Sequence, residues 1–268
     1  MHPIILGSES SRFAIHGYGL MLALSFLFGI LLATYRAKKV GIAPEKIMDL
    51  SVWIVISAII GSRFLYVIYH VEEFRGHWMD TINPFQSSGR IGIAGLTMLG
   101  GVVLAIIVAV IYFRVKKLPV LKTCDVMIPS VGLGIFLTRI GCFLNGCCHG
   151  LPTDLPWGVT FTNPYSACLP EYLNVPIHPT QIYSSAYGLL ILGILLFVDR
   201  FKKRDGTLFF LFFILYGISR FLVDFVRYYE NSAMIGNLGI TVNQGISLLM
   251  LLTGIAGLAF LNFNQNKN

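Results

Sequence analysis

The sequence predicts an all-α, polytopic membrane protein of seven transmembrane helices, with the N-terminus outside and the C-terminus cytoplasmic. Three observations predict it. Of its 268 residues, 55% are hydrophobic and only 12% charged, whereas about a quarter of the residues of a soluble domain are charged. The apolar residues fall in blocks close to the ~20 residues that cross a bilayer. They show no strand alternation of the kind a barrel needs, and hydrocarbon tolerates no open sheet edge, so the blocks must be helices. The basic residues, finally, gather in alternate connections between blocks.

Met1 to Phe13 is short and polar, with one arginine, Arg12, and lacks the basic start and cleavage site of a removable signal peptide. The expected spans are Ala14–Tyr35, Ile47–Tyr69, Ile93–Phe113, Val120–Asn145, Pro179–Val198, Thr207–Arg227 and Thr241–Leu261. Together they form a single transmembrane domain over 1–268, with outer loops at about 70–92 and 146–177. Gly132, Gly134 and Gly141 in the fourth span let a neighbouring helix approach closely. The connections after spans one, three and five carry Arg36, Lys38, Lys39 and Lys46, then Arg114, Lys116, Lys117 and Lys122, then Arg200, Lys202, Lys203 and Arg204. The opposite connections carry only Arg75 and Arg90. The positive-inside rule makes the basic loops cytoplasmic. Lys267 then ends the chain inside, and seven spans satisfy the rule throughout. The net charge of +7 is therefore a topology signal and not the footprint of a nucleic-acid binder.

Against this apolar background four arginines stand out: Arg63, Arg139, Arg220 and Arg227, all toward the outer ends of even-numbered spans. An arginine at the bilayer centre costs about 2.5–3.5 kcal/mol on insertion scales, so its default reading is a functional site that holds an anion. Snorkelling from near a helix end is the plainer alternative for Arg139. Tyr216, Arg220, Asp224 and Arg227 have the spacing of one helix face. One aspartate there cannot neutralise the surplus positive charge, although an internal ion-pair ladder accounts well for Asp224. Guanidinium forks match phosphate oxygens, and the phosphate available in a membrane is a lipid headgroup. A second polar cluster, His178, Pro179, Thr180, Gln181, Ile182 and Tyr183, opens span five, and His16, Gly17, Tyr18 and Gly19 open span one. Capping and interfacial anchoring are the plainer readings of both.

Four of the five cysteines, Cys142, Cys147, Cys148 and Cys168, fall at or beyond the outer end of span four, and Cys124 lies near its inner end. Their spacing does not match a Cys-x-x-Cys zinc pattern, and no metal is expected. A structural disulfide between Cys168 and the Cys147/Cys148 pair is the favoured expectation on an oxidising side of the membrane.

With these residues assembled, the chain resembles the prolipoprotein diacylglyceryl transferases of bacterial inner membranes. The resemblance runs from His16 to Arg227 and rests on four motifs in order. They are His16-Gly-Tyr18-Gly; Arg139, Gly141, Phe143, Asn145, Gly146 and Gly150; His178-Pro-x-Gln181-x-Tyr183; and Tyr216-Gly-x-x-Arg220 with Arg227. It implies transfer of a diacylglyceryl group from phosphatidylglycerol to the lipobox cysteine thiol of a prolipoprotein precursor, with release of glycerol phosphate. It implies a multi-pass protein of the inner membrane and no cofactor. The chain departs from the family at four places: Leu99 replaces a histidine before Gly100-Gly101, Cys142 an amide, Cys147 an acidic residue and Ser184 a glutamate.

The candidate site therefore has His149, Tyr18 and Arg220 in catalytic roles. Arg139, Arg63, Arg227, Asn145, Gly150, His178, Gln181, Tyr183 and Tyr216 bind substrate. His149 is the candidate base for want of the span-three histidine, since an imidazole titrates near working pH. Stabilisation of the thiolate by the arginines alone is the alternative. Two rival functions stay open: a non-catalytic protein that binds or transports lipid, and a thiol enzyme using Cys147 or Cys148.

Overall fold

The computed structural model describes residues 4–6, 15–76, 81, 97–229, 234 and 239–263. The expected span starts at Ala14 and Ile93, the basic residues Arg12, Arg90 and Lys267, and most of the 70–92 loop lie outside them.

The elements in order are strands β1 (Ile4–Leu6) and β2 (Ile15–His16), then helices α1 (Gly17–Lys39), α2 (Pro44–Tyr69), α3 (Val71–Phe74), α4 (Met98–Val115) and α5 (Val120–Asn145). They continue with β3 (Val159–Thr160), a 3-10 turn at Pro170–Tyr172, β4 (Pro176–Ile177), α6 (Thr180–Val198), α7 (Thr207–Asp224) and α8 (Val242–Phe263). Seven of these helices, all but α3, are long and apolar enough to cross a membrane. The protein is a multi-pass, all-α membrane protein, and the two short antiparallel strand pairs among the described residues, β1–β2 and β3–β4, lie outside the long helices.

The chain forms two compact units: Ala37–Val120, and Met1–Arg36 with Leu121–Asn268. In the first, α2 begins with Pro44 at a helical position that needs no N–H and with Glu45 facing the positive end of the helix dipole. Helices α2 and α4 pack so closely that a Cβ on Gly100 would stand 2.2 Å from the Gly61 carbonyl oxygen. Small residues at such a contact bring backbones together where there is no water to drive association. Thr97 fixes the entry to α4 by donating from its hydroxyl (3.0 Å) and its N–H (3.1 Å) to the Ser62 carbonyl.

In the second unit Ile128, Tyr187, Ile191, Leu195, Leu208 and Phe212 form a core from α5, α6 and α7. Residues such as Leu190, Leu222, Leu249 and Leu252 are exposed, as apolar surface bathed in acyl chains must be. Helix α8 opens with a reciprocal cap: Gln244 N–H donates to the Thr241 hydroxyl (3.0 Å), and Thr241 N–H to Gln244 Oε1 (2.9 Å). At the opposite end, the buried carboxylate of Asp125 on α5 accepts from Gly206 N–H and Phe209 N–H, both at 2.9 Å, and pairs with Lys202 Nζ at 2.7 Å. It thus caps α7 from another helix. Arg36 joins the same region, donating to the carbonyls of Asp125 and Val126 and pairing with Asp199 at 2.8 Å.

Candidate functional site

The site is built on the C-terminal end of α5. Gly146 ends that helix with a left-handed φ of 82°, its N–H donating to the Cys142 carbonyl at 2.9 Å. The chain therefore folds back over the last helical turn. Gln181 Nε2 then donates to the Cys147 carbonyl (2.9 Å) and the Thr180 hydroxyl to the Cys148 carbonyl (2.8 Å), so the first turn of α6 grips the fold. Gly150 N–H donates to the His178 carbonyl (3.1 Å), His178 N–H to the Leu151 carbonyl (2.9 Å), and Leu151 N–H to the Val226 carbonyl (2.9 Å). Gly150 is thus stitched between two segments, and a Cβ there would lie 2.5 Å from the His178 oxygen and 2.7 Å from the Val226 oxygen. Asn145, the last residue of α5, accepts Ala167 N–H on its carbonyl at 2.8 Å.

Arg139 lies two turns inside α5 and makes no hydrogen bond or ion pair among the described residues. It lines a cavity of about 230 Å³ with Ile140, Phe143, Gln181, Ile182 and Ser185. That volume is below the ~300–1,000 Å³ of pockets that enclose drug-sized ligands, which suits a headgroup and not a whole lipid. The Tyr187 and Tyr216 phenols and the Cys142 and Cys148 thiols lie within electrostatic range of its charge.

Arg220 is engaged differently. It donates to the Tyr229 hydroxyl and stands 3.1 Å from Asp224 Oδ1, an ion-pair distance at an angle that leaves this Nη1 without a hydrogen bond. Tyr229 donates in turn to Asp224 Oδ1 at 2.8 Å. Burial pushes the Tyr229 phenol up to about 12, although Arg227 and Arg220 pull it down, so this hydroxyl stays protonated. The ladder reading of Arg220 and Asp224 is thus realised, with an added tyrosine. Arg227 departs from expectation: α7 ends at Asp224, so Arg227 does not share its face. The backbone leaves the helix there because Val226 to Tyr228 pairs with His149 to Leu151. The Arg227 guanidinium lies 5.2 Å from the Tyr229 ring, and its Nε is buried without a hydrogen-bond partner among the described residues.

His149 is buried, its ring 5.5 Å from that of Tyr228 and 5.2 Å from that of Tyr172. Its Nδ1 lies 3.1 Å from the Gly150 carbonyl. A carbonyl only accepts, so Nδ1 carries the proton and Nε2 is left as the basic nitrogen. Tyr18 packs beside Gly141, whose added Cβ would meet the Tyr18 Cα at 3.2 Å. The His178 ring meets Tyr183, with Nδ1 3.4 Å from its hydroxyl, and that hydroxyl accepts Trp157 Nε1–H at 2.8 Å. Tyr216 stacks on Phe212 at 5.5 Å.

Arg63 belongs to the other unit. There it is buried, donates from Nε to the Thr81 carbonyl (3.0 Å) and lies over the Phe74 ring at 5.1 Å. Leu99, at the start of α4, is 61% exposed and offers no polar atom to a site.

The cysteines do not pair as expected. All five are free. Cys168 is buried in a small core with Phe161 and Ile177, while Cys142, Cys147 and Cys148 bring their sulfurs within 4.8 Å of one another. The apolar fit of Cys168 under the β3–β4 hairpin competes with, and replaces, a bridge to the turn. The Cys148 thiol is held well below the usual thiol range, first by hydrogen bonds from Cys142 and Cys147 and then by the charges of Arg227 and Arg139.

Sequence reasoning missed Tyr187, whose buried hydroxyl has no partner among the described residues, and Tyr229. Tyr187 follows Tyr183 by one helical turn, a spacing that could have found it. No local pattern reveals Tyr229, which reaches back to α7 from beyond its end.

Fold and site together define a multi-pass membrane protein with an intramembrane arginine that is unpaired among the described residues, beside a cysteine-rich helix cap. The family model described as prolipoprotein diacylglyceryl transferase matches residues 5–260, and the chain belongs to that family. Relatives named phosphatidylglycerol–prolipoprotein diacylglyceryl transferase include one from Clostridium tetani, 35% identical over 95% of this chain and 96% of its own. Another, from Campylobacter hominis, is 31% identical over 95% and 92%. A third, from Thermotoga maritima, is 31% identical over 94% and 83%.

Proposed function

We propose that the protein transfers the diacylglyceryl group of phosphatidylglycerol to the lipobox cysteine thiol of prolipoprotein precursors, at the outer face of a bacterial inner membrane. The observation that carries this reading is Arg139, without an ion pair or hydrogen bond among the described residues, in a membrane helix and facing a headgroup-sized cavity. Two buried donors nearby, Arg227 Nε and the Tyr187 hydroxyl, have no partner among the described residues and want an acceptor too. A phosphate supplies the charge and the oxygens. It is also the leaving group, so the same donors stabilise the negative charge that grows as the carbon–oxygen bond breaks.

In this assignment Arg139 binds the phosphate, and Gln181 and Tyr187 complete its surroundings. Arg227 adds a donor and positive field. Arg220, tied to Asp224 and Tyr229, acts by field and by holding the end of α7. Tyr18, beside the thiols, and Tyr216 shape the approach, and Asn145, Gly150, His178 and Tyr183 hold the turn. Arg63, within the other unit, holds the Thr81 carbonyl and lies over the Phe74 ring. His149 Nε2 takes the thiol proton. The names of the relatives favour transfer over the lipid-binding alternative.

The test is transfer from phosphatidylglycerol to a lipobox peptide by the purified chain. Arg139→Lys keeps the charge and loses the fork. Loss of one charge-assisted hydrogen bond, about 1.5–3 kcal/mol, predicts a fall in rate of roughly 10–100-fold. His149→Ala is expected to lower the rate by about 10²–10⁴-fold, the usual contribution of a positioned base. Unchanged turnover in Arg139→Ala overturns the phosphate assignment, and an unchanged rate in His149→Ala overturns the base.

A further inference from the structure

We infer that Cys142, Cys147 and Cys148 form a binding site for one thiophilic d¹⁰ cation of the zinc class, with an open position that takes the acceptor thiol. The three sulfurs lie within 4.8 Å of one another. Zinc–sulfur bonds of about 2.3 Å in tetrahedral or trigonal geometry set sulfurs roughly 3.8–4.0 Å apart, so a small contraction closes the site.

The sequence spacing hid this because the ligands straddle a helix cap. Cys142 stands in the last turn of α5, and the left-handed Gly146 turns the chain back so that Cys147 Sγ comes 3.8 Å from the Cys142 carbonyl. Adjacent residues in extended backbone point apart, which argues against Cys147 and Cys148 as joint ligands. Here Cys148 has a left-handed φ of 62°, uncommon for a residue with a side chain, and both sulfurs belong to one group. The backbone of both cysteines is gripped from α6 by Gln181 and Thr180, so the thiols are presented on a held frame.

Three converging thiols suit a cation better than a disulfide, which uses two and leaves one. Soft thiolate sets select zinc and monovalent copper. Three thiolates on a divalent ion carry one net negative charge, which Arg139 and Arg227 nearby accommodate. Three protein ligands also leave a fourth position, the arrangement of zinc sites that take a substrate.

This last part rests on the transferase reading. The acceptor thiol binds at the open position as a thiolate and gives its proton to the general base. A sulfur electron pair attacks the glycerol carbon, the bond from that carbon to the phosphate oxygen breaks, and glycerol phosphate leaves with the bonding pair. The cation then supplies the thiolate in a chain that has Leu99 in place of the family's histidine.

The test titrates the reduced, metal-stripped full chain in detergent with Co(II), a spectroscopic stand-in for zinc. One equivalent is expected to give thiolate-to-cobalt charge transfer and intense visible bands, and Zn(II) to bleach them. Cys142→Ser, Cys147→Ser and Cys148→Ser each weaken binding by about 10–100-fold or more, while Cys168→Ser leaves the bands in place. A lipobox peptide shifts the visible bands and its serine counterpart does not. Absence of thiolate bands in the wild type, or bands that survive all three substitutions, overturns the site. Visible bands indifferent to the cysteine peptide overturn the open position. Transfer by a chain that binds no cobalt removes the site and leaves the transferase reading intact; cobalt binding by a chain that transfers nothing does the reverse.

Discussion

Arg139 and Gly150 show the two ways in which one residue constrains this site. Arg139 was legible in the sequence because charge inside an apolar run is costly and therefore conspicuous. Gly150 was legible only as a motif glycine. Its reason is non-local, because the carbonyls of His178 and Val226 occupy the space of a side chain. Gly150→Ala is expected to cost about 1–3 kcal/mol through overpacking, read as a lower melting temperature in detergent. An unchanged melting temperature would show that the seam relaxes freely. The thiols were the least legible: Cys168 looked like half of a disulfide, and only the backbone at Gly146 and Cys148 shows where the other three sulfurs go.

At the scale of elements, hydropathy placed the seven spans because lipid imposes length and composition on each. The fourth matches α5 at both ends, Val120 and Asn145, and the sixth stops at Asp224, before the expected Arg227. A helix end decided by pairing with a distant segment has no local signature. The Asp125 centre was likewise hidden. Lys202 and Arg36 read as loop charges, yet they fasten α5 to the start of α7 and to Asp199. Removing one partner of a buried ion pair costs about 3–5 kcal/mol. Asp125→Ala should therefore lower thermal stability by that order and loosen the α7 start. Lys202→Met alone should do likewise by leaving the carboxylate unpaired. Hydrogen exchange across 204–210 would check it, and unaltered protection there would contradict the capping role.

For the whole molecule, the charge pattern proposes an orientation: basic connections inside, the 146–177 loop outside. Cys168, the obvious native reporter, is only 6% exposed and would label poorly. Tyr165, 67% exposed in the same loop, is the better position. Tyr165→Cys in a Cys168→Ser background is expected to react with a membrane-impermeant maleimide in right-side-out vesicles. Reaction only in inverted vesicles would reverse the topology.

The seam at Gly150 also has a consequence for biogenesis. A ribosome releases residues 149–151 well before His178 and later still before Val226. The loop therefore waits half-made, first for α6 and then for the exit from α7, with its backbone groups exposed meanwhile to water or to a chaperone. A chain truncated after α6 should hold Gly150 on one side only. Lesions near Val226 would then surface as late assembly failures that quality-control proteases clear, even though every span had already been inserted.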